Sequence, residues 1–315
     1  NSIPKEVTIL DEANLTFLPK SIKNPVEVEN ERIAHIKDGV ALTKFICWLK
    51  KNVGKIPMTE LSAGEKLYSF RAQQENFIDN SFDPIISYGI HAAINHYSAT
   101  PETDIAIEPG NFLLADTGGH YYEGTTDTTR TIVMGSVNDE QKKYFTAVLR
   151  GMLNLGNAKF RYGCTGVNLD YLARGPLWEM GQDFNHGTGH GVGYLLNVHE
   201  GPNSFRWRII QGDNAVLEEG MITSDEPGYY VENQYGIRHE NLLVCKKAEK
   251  TSFGQFMCFE HLTMVPFDLD AVVPELMTVQ ERALLNNYHA QVYKKISPYL
   301  EEEEKEWLKE ATREI

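Results

Sequence analysis

The chain has 315 residues and the composition of a soluble globular protein, which leaves room for one large domain or two ordinary ones. Its 30 lysines and arginines stand against 44 aspartates and glutamates, so the formal net charge is −14 at pH 7. That balance argues against nucleic acid and membranes as partners, and no apolar run resembles a signal peptide or a membrane span. The four cysteines are far apart, which predicts reduced thiols in a cytoplasmic protein.

The first part of the chain predicts two helices followed by strands. Apolar residues recur at helical spacing from Glu29 to Val53, and Gly54 is a natural stop. Ser62 to Glu65 has the form of a capping box and predicts a second helix to about Gln74. Segments rich in β-branched and aromatic residues then predict strands at Phe82–Tyr88, Ala92–Tyr97, Asn111–Ala115, Gly119–Tyr122 and Thr129–Met134.

The same order of elements then begins again about 107 residues later. Asn138 is predicted to cap a helix to about Phe160, and Asn168 another to about Met180. Strands are predicted near Met221–Ser224, Tyr229–Val231, Asn241–Cys245 and Phe256–Val265. The pattern predicts two αα-then-β halves built on one structural unit. Residues 275–315 are predicted to form a charged helical tail, with the Glu301–Glu304 run on a solvated face.

Two pairs of carboxylates follow this repeat. Asp116 ends an apolar strand, and Asp127 comes eleven residues later, after a glycine-rich turn. Glu226 and Glu240 have the same relation in the second half. Each residue alone could be a turn or cap residue, and Glu240 near Arg238 could form a surface ion pair. Together, facing pairs would repel strongly unless cations lay between them, so the spacing predicts a site for two divalent metals.

The sequence HGTGH, from His186 to His190, resembles a zinc-protease helix motif, but its glycines exclude a helix. In an extended segment the side chains alternate, so His186, Thr188 and His190 are expected on one side. The glycines are interpreted as room for a substrate backbone. His199 and His96 lie in similar glycine-rich or strand-end settings and are further candidates, although single histidines are usually structural.

Five motifs in order resemble one family. AAINHYS, LLADTGGHYYEGTTDTTRT, HGTGHGVGYLLNVHEGP, TSDEPGYY and YGIRHEN are similar to the Xaa-Pro aminopeptidase (aminopeptidase P) family of pita-bread metallopeptidases. The resemblance implies an α+β fold of two pseudo-symmetric halves, with a curved antiparallel sheet around a dinuclear metal site. It divides the chain into a linker at 1–24 from a missing preceding domain, a catalytic domain at 25–274, and a helical C-terminal extension at 275–315.

The resemblance also implies roles for the candidate residues. The ligands of two metal ions, usually Mn²⁺ with Co²⁺ or Zn²⁺ as alternatives, would be Asp116, Asp127, His190, Glu226 and Glu240. Arg238 would orient a ligand carboxylate, and His186 would line the proline side of the substrate pocket. His199 would hydrogen-bond the scissile carbonyl or its oxyanion. His96 would help to move the proton to the leaving prolyl nitrogen.

The implied reaction is removal of the N-terminal residue from peptides with proline in the second position. In the mechanism expected for such a site, a hydroxide that bridges the two metals attacks the carbonyl of the bond before proline. Glu226 would act as the base, and His199 would stabilise the oxyanion. Two departures stand out. The resemblance implies two further domains before the residues compared, which the 315 residues do not include, and His239 occupies a position where an apolar residue is more usual in the family. Strand alternation predicts that His239 points away from the metals, and the alternative is an extra imidazole beside them.

Three rival functions share parts of this pattern. A prolidase would cleave only Xaa-Pro dipeptides with the same ligands, and the C-terminal extension argues against it. An inactive pita-bread binding scaffold would have lost ligands, and a creatinase-like amidinohydrolase would not have the metal centre. The expected assembly is a homodimer.

Overall fold

The computed structural model describes residues 4, 6–8, 14–195 and 197–315. The predicted linker at 1–24 therefore lies partly outside the described residues. From residue 14 onward it contains a short helix, α1 (Phe17–Ser21), and then enters the first long helix directly.

The first long helix, α2 (Pro25–Asn52), begins earlier than the hydrophobic spacing predicts. The Asn24 side chain accepts hydrogen bonds from the backbone N–H groups of Val26 and Glu27, at 2.9 and 3.1 Å, and the Glu27 side chain returns to the Asn24 N–H. Pro25 suits the first helical position because its missing N–H would be unpaired there anyway. The helix ends before Gly54, whose φ of +73° confirms the predicted stop.

The predicted N-cap residues of the next three helices agree only in part with the structure. The Ser62–Glu65 capping box is wrong: Thr59 caps the helix, and Ser62 is its third residue. Asn138 caps its helix as predicted. Asn168 instead ends a short 3-10 turn that Thr165 caps. The remaining helices are α3 (Glu60–Arg71), α4 (Asp139–Gly156), α5 (Tyr171–Trp178), α6 (Val279–Ile296) and α7 (Glu302–Ala311).

The strands confirm most of the predicted segments. They are β1 (Phe77–Asn80), β2 (Ile85–Tyr88), β3 (Asn111–Thr117), β4 (Gly119–Tyr121), β5 (Gly124–Thr125), β6 (Thr128–Met134), β7 (Lys159–Arg161), β8 (Gly189–His190), β9 (Ser204–Phe205), β10 (Ile222–Asp225), β11 (Gly228–Val231), β12 (Tyr235–Arg238), β13 (Asn241–Thr251) and β14 (Gly254–His261). The strand predicted at Ala92–Tyr97 is wrong, because a 3-10 helix at Gly89–Ala93 leads into turns there.

The two halves repeat one antiparallel arrangement. In the first half β3 pairs with β2 and β6, and the small hairpin β4–β5 lies between β3 and β6 in the chain. In the second half β10 pairs with β13, and the hairpin β11–β12 lies between them. Each half therefore supplies one long strand pair whose connection folds back as a second hairpin. This confirms the predicted αα-β halves.

The largest hydrophobic core lies between the sheets, α4 and the C-terminal helices. It joins Phe112 and Phe145 to Leu285, Val292 and Leu308, all of them fully buried. The C-terminal helices therefore contribute side chains to the main hydrophobic core. The Glu301–Glu304 run does lie on the surface, where two of its glutamates pair with lysines of α2.

Candidate metal centre

The strand pair of the first half brings Asp116 and Asp127 together. Asp116 faces Thr129 across the β3–β6 ladder, and Asp127 lies directly before β6. Both carboxylates are buried, with Asp116 at 9% and Asp127 at 4% exposure. Eleven residues separate them in the chain, but the hairpin returns Asp127 to the same end of the ladder. The predicted hairpin is therefore confirmed.

The strand pair of the second half repeats this arrangement with glutamates. Asp225 faces Asn241 across the β10–β13 ladder, so Glu226 follows one strand and Glu240 precedes the other at the same end. The Glu240 N–H donates to the Thr129 carbonyl at 3.1 Å, and the Thr129 hydroxyl donates to the Glu240 carboxylate at 2.8 Å. These bonds hold the two halves together beside the four carboxylates.

His190 completes the group with an imidazole directed at the carboxylates. Its Nδ1 lies 2.8 Å from the Gly191 carbonyl, so Nδ1 carries the proton and Nε2 keeps a free lone pair. Nε2 lies 3.4 Å from an Asp127 oxygen and 3.5 Å from a Glu226 oxygen. One ligand atom each from Asp127, His190 and Glu240 lies within 4.8 Å of the others. Ligands bound at about 2.1 Å around one ion have separations close to these.

The electrostatics of the cluster favour bound cations. Burial, followed by the charges of Asp116 and Glu226, raises the pKa of Asp127 well above its usual range. Burial and then Asp127 raise the pKa of Glu240 in the same way, and burial raises that of Glu226. Carboxylates this close cannot all ionise without compensating positive charge. Oxygen ligands with one imidazole suit divalent metals such as Mn²⁺, Co²⁺ or Zn²⁺, so the residues present fit a dinuclear centre.

Arg238 lies beside this cluster, as predicted. Its Nη2 donates to Asp116 Oδ2 at 2.5 Å, and its Nη1 donates to the Tyr230 hydroxyl at 2.7 Å. The Tyr230 hydroxyl in turn lies 2.9 Å from Nε2 of His186. A continuous chain of hydrogen bonds therefore joins a predicted ligand to the predicted pocket histidine.

The HGTGH segment packs against neighbouring residues of the interior, which the sequence did not predict. His186 and His190 both line the cavity, but the Thr188 hydroxyl points into the interior and donates to Asp170 at 2.6 Å. The three side chains therefore do not share one side, because the segment is irregular before β8. Contacts within the protein already require both glycines, because a Cβ at Gly187 would lie 2.5 Å from the Arg206 guanidinium and one at Gly189 would overlap a Ser224 backbone oxygen. Both glycines also line the cavity, and their interpretation as room for substrate stays a prediction.

His199 and His96 line the same cavity of about 710 Å³. The His199 ring packs edge-on against the His190 ring, with centroids 4.1 Å apart. Burial, followed by the neighbouring His190 and His96, lowers the pKa of His199 to about 4, and burial followed by Arg238 lowers that of His186 to about 3. His186 and His199 are therefore neutral imidazoles at neutral pH.

His239 points away from the carboxylates, as strand alternation predicts. Its ring packs edge-on against Phe145 and Phe267, with centroids 4.3 and 5.6 Å away, and it is fully buried. Arg238 and Glu240 on either side face the cavity. His239 is thus a core residue beneath α4.

Sequence reasoning missed the buried ion pair that supports HGTGH from behind. Asp170 and Arg174 are fully buried, and Arg174 Nε donates to the Asp170 carboxylate at 2.7 Å. Arg174 also donates to the carbonyls of Phe184 and His186, at 2.7 and 2.8 Å. The two residues are four apart at a helix start, a spacing that could have drawn attention to them.

Comparisons with known proteins agree with this geometry. Residues 29–247 match metallopeptidase family M24, and residues 255–315 match the C-terminal region of that family. A probable Xaa-Pro aminopeptidase P of Paracoccidioides brasiliensis (strain Pb03) is 43% identical over 303 residues, which are 94% of this chain and 49% of that protein. The chain thus spans about half the length of this curated relative.

Two solved structures are also similar. The X-prolyl aminopeptidase of Caenorhabditis elegans, described as a cytosolic enzyme with a di-nuclear active site, has a TM-score of 0.91 at 37% identity, over 96% of this chain and 50% of that one. The prolidase of Pyrococcus furiosus has a TM-score of 0.63 at 28% identity, over 79% of this chain and 67% of that one. The two halves form the pita-bread fold of these proteins, and the chain belongs to metallopeptidase family M24.

Proposed function

We propose that this chain is the catalytic part of a metal-dependent aminopeptidase that releases the N-terminal residue from peptides with proline in the second position. The observation that carries the proposal is the convergence of four carboxylates and the free Nε2 of His190 at one end of two paired ladders. The likeness to Xaa-Pro aminopeptidase P sequences over 94% of the chain supports the choice of substrate.

The proposed ligands of two divalent metal ions are Asp116, Asp127, His190, Glu226 and Glu240. Manganese is the proposed metal, because carboxylate oxygens predominate and a single imidazole joins them. Two ions held there supply positive charge that makes a water molecule more acidic and polarises the scissile carbonyl. The di-nuclear site named for the C. elegans enzyme supports the same number of ions.

Glu226 is the proposed general base. One of its oxygens accepts from the Ser224 hydroxyl at 3.1 Å, and its backbone N–H donates to the Thr188 carbonyl at 2.8 Å, so the side chain is held from both directions. A carboxylate held in this way can take a proton from a water molecule and then pass it on.

The cavity histidines then complete the reaction. Neutral His199 can donate an N–H to the scissile carbonyl oxygen as negative charge develops on it. The imide nitrogen of proline must gain a proton to leave, and His96 is the proposed residue that helps to deliver it. His186 and Arg238 position the substrate and Asp116 through their shared contact with Tyr230.

A prolidase, which uses the same chemistry, is the alternative function. The structural similarity to the P. furiosus prolidase supports this alternative. The 43% identity to the Paracoccidioides relative and the TM-score of 0.91 to the C. elegans enzyme favour the first proposal. An inactive scaffold is disfavoured because all five proposed ligands are present together.

We also propose a cytosolic location and a homodimer. All four cysteines are free thiols, which suits a reducing compartment, and the C. elegans enzyme is described as cytosolic. Within the described residues no helix combines the length and apolar character that crossing a membrane requires. The homodimer follows from the family resemblance, and sedimentation of the purified chain tests it.

The test of the proposed function combines metal analysis with peptide hydrolysis. Protein purified without chelators is expected to hold two Mn-class ions per chain and to release alanine from Ala-Pro-Ala. Asp127→Ala is expected to lose both metal and activity, because the Asp127 carboxylate lies close enough to Asp116, Glu226 and Glu240 to interact with all three. A metal-free wild type that is active, or an active Asp127→Ala variant, would contradict the mechanism.

A further inference from the structure

Arg206 and Asp213 form an ion pair at the wall of the cavity. Arg206 follows β9, which pairs with the β8 strand of His190, so its backbone is fixed relative to the metal centre. Arg206 Nε donates to the Asp213 carboxylate at 2.5 Å, and both residues line the cavity. The Ser204 hydroxyl donates to the Asp213 carbonyl at 2.7 Å, which anchors the second partner as well.

The guanidinium of Arg206 lies against Gly187, next to His186. A Cβ at Gly187 would come within 2.5 Å of Arg206 Nη1, so the glycine provides the space in which the guanidinium lies. The pair therefore belongs to the side of the cavity where His186 is proposed to contact the proline part of the substrate. This placement depends on the proposed function.

The cations of the cavity are already engaged. Among the described residues that line it, Arg206 and Arg238 carry the only ammonium or guanidinium groups, and each donates to a carboxylate at 2.5 Å. Asp83 adds negative charge beyond the proposed ligands, whereas Glu200 pairs with Lys20 and Asp213 pairs with Arg206. A dipeptide would place its free C-terminal carboxylate here, where desolvation is costly unless a cation receives it. A longer peptide places a neutral amide at the same point.

We propose that Asp213 is a specificity-determining residue: by holding Arg206 in an ion pair, it denies a partner to the carboxylate of Xaa-Pro dipeptides and favours longer peptides. The inference rests on the proposed aminopeptidase function and goes further, because it assigns the choice of peptide length to one ion pair.

The test is Asp213→Asn, which removes the negative charge that pairs with Arg206 at nearly constant side-chain volume. Hydrolysis of Ala-Pro and Ala-Pro-Ala is measured for each protein, and the kcat/KM of the dipeptide relative to the tripeptide is expected to rise about tenfold, the size of one charge-assisted hydrogen bond. Ala-Pro-amide has no carboxylate and is expected to show no such rise. The double variant Arg206→Met/Asp213→Asn should lose the gain.

Glu260→Gln is the matched control. It removes the charge of one carboxylate partner of Arg32, which still pairs with Glu29. The side chains of Arg32 and Glu260 are 30% and 25% exposed, against 32% and 24% for Arg206 and Asp213, and neither Arg32 nor Glu260 lines the cavity. Its dipeptide-to-tripeptide ratio should equal that of the wild type. An unchanged ratio in Asp213→Asn, or an equal gain with Ala-Pro-amide, overturns the inference.

Binding measurements separate this inference from the proposed function. Calorimetry of the metal-loaded chain measures the binding affinity for Ala-Pro and for Ala-Pro-amide. Asp213→Asn is expected to raise the affinity for Ala-Pro, which has a free carboxylate, and to leave that for Ala-Pro-amide unchanged. This holds even if no peptide is cleaved. Wild-type protein that cleaves neither peptide contradicts the proposed function. Wild-type protein that cleaves Ala-Pro-Ala, with no selective gain for Ala-Pro in the variant, contradicts only the role of Asp213.

Discussion

At the scale of single residues, two histidines of one motif have different chemical environments. His190 and His186 each place Nδ1 near the carbonyl of the following glycine, at 2.8 and 2.7 Å, so both have Nε2 as the available nitrogen. Nε2 of His190 faces Asp127 and Glu226, whereas Nε2 of His186 faces the Tyr230 hydroxyl. A hydroxyl donor engages the lone pair that a metal would otherwise use.

This difference predicts opposite metal content in two alanine variants. His190→Ala is expected to lower metal affinity by at least about 100-fold, because a direct ligand matters more than the supporting groups whose loss costs 10–100-fold. His186→Ala should keep its metals while kcat/KM falls by about 100-fold, since only substrate placement is lost. Elemental analysis after dialysis, together with peptide hydrolysis, distinguishes them. Equal metal loss in both variants would contradict the assignment.

At the scale of elements, the irregular HGTGH segment depends on helix α5 and the residues before it. Asp170 receives the Thr188 hydroxyl, and Arg174 donates to the His186 carbonyl. The Thr188 carbonyl in turn accepts from the Glu226 N–H. A buried ion pair therefore orders the loop that carries His186 and His190, and it reaches the proposed general base through one residue.

Thr188→Val tests this connection, because valine matches the shape of threonine without its hydroxyl. The loss of a buried bond to a charged acceptor should cost about 1.5–3 kcal/mol of unfolding free energy. We expect kcat to fall about tenfold with metal content unchanged, since Glu226 loses part of its support.

Thr43→Val is the control for that substitution. Thr43 is fully buried in α2, and its hydroxyl has no hydrogen-bond partner among the described residues, so valine should cost little there. Full activity in Thr188→Val, or the same loss in Thr43→Val, would show that the bond to Asp170 has no special role.

At the scale of the whole molecule, the C-terminal helices pack against the strands that carry the proposed metal ligands. Fully buried Arg130 donates to the Glu240 carbonyl at 2.6 Å and to the Tyr288 hydroxyl at 3.0 Å. His289, next to Tyr288 on α6, accepts from the Phe267 N–H at 3.0 Å through Nε2. The strand that supplies a proposed ligand is thus tied directly to the last part of the chain.

The buried imidazole of His289 predicts an acid-sensitive stability. Burial, followed by Arg130, lowers its pKa to about 3, while the unfolded chain has the usual value of about 6.5. A lowered folded-state pKa means that stability is complete above pH 6.5 and is lost as the pH falls from there towards 3. Between pH 7.5 and 5.5 this one group should cost about 1.4 kcal/mol of unfolding free energy.

His289→Gln can keep an acceptor for Phe267 but cannot be protonated. Urea unfolding at pH 7.5 and 5.5 should show a smaller loss in this variant than in the wild type, by about 1.4 kcal/mol. Identical pH dependence in both proteins would exclude His289 as a source of acid sensitivity. His35 and His261, whose pKa values burial lowers to about 4, remain in both and provide a common background.

The sequence alone determined the parts of this protein that depend on short-range pattern. Strand alternation predicted that His239 points away from the carboxylate cluster, and the turn spacing predicted that hairpins bring Asp116 to Asp127 and Glu226 to Glu240. These features follow from backbone geometry over a dozen residues, which the order of residue types encodes directly.

The tertiary structure alone decided which distant groups occupy the space around those residues. Thr188 turns inward because Asp170 and Arg174 lie behind it, and Gly187 is small because Arg206 lies over it. Thr59 rather than Ser62 caps α3, at a point where Thr59 forms a β-bridge with Ala106 and the Glu60 N–H donates to the Ile105 carbonyl at 3.2 Å. Contacts across long chain separations arise from packing, and packing depends on the whole set of side chains at once.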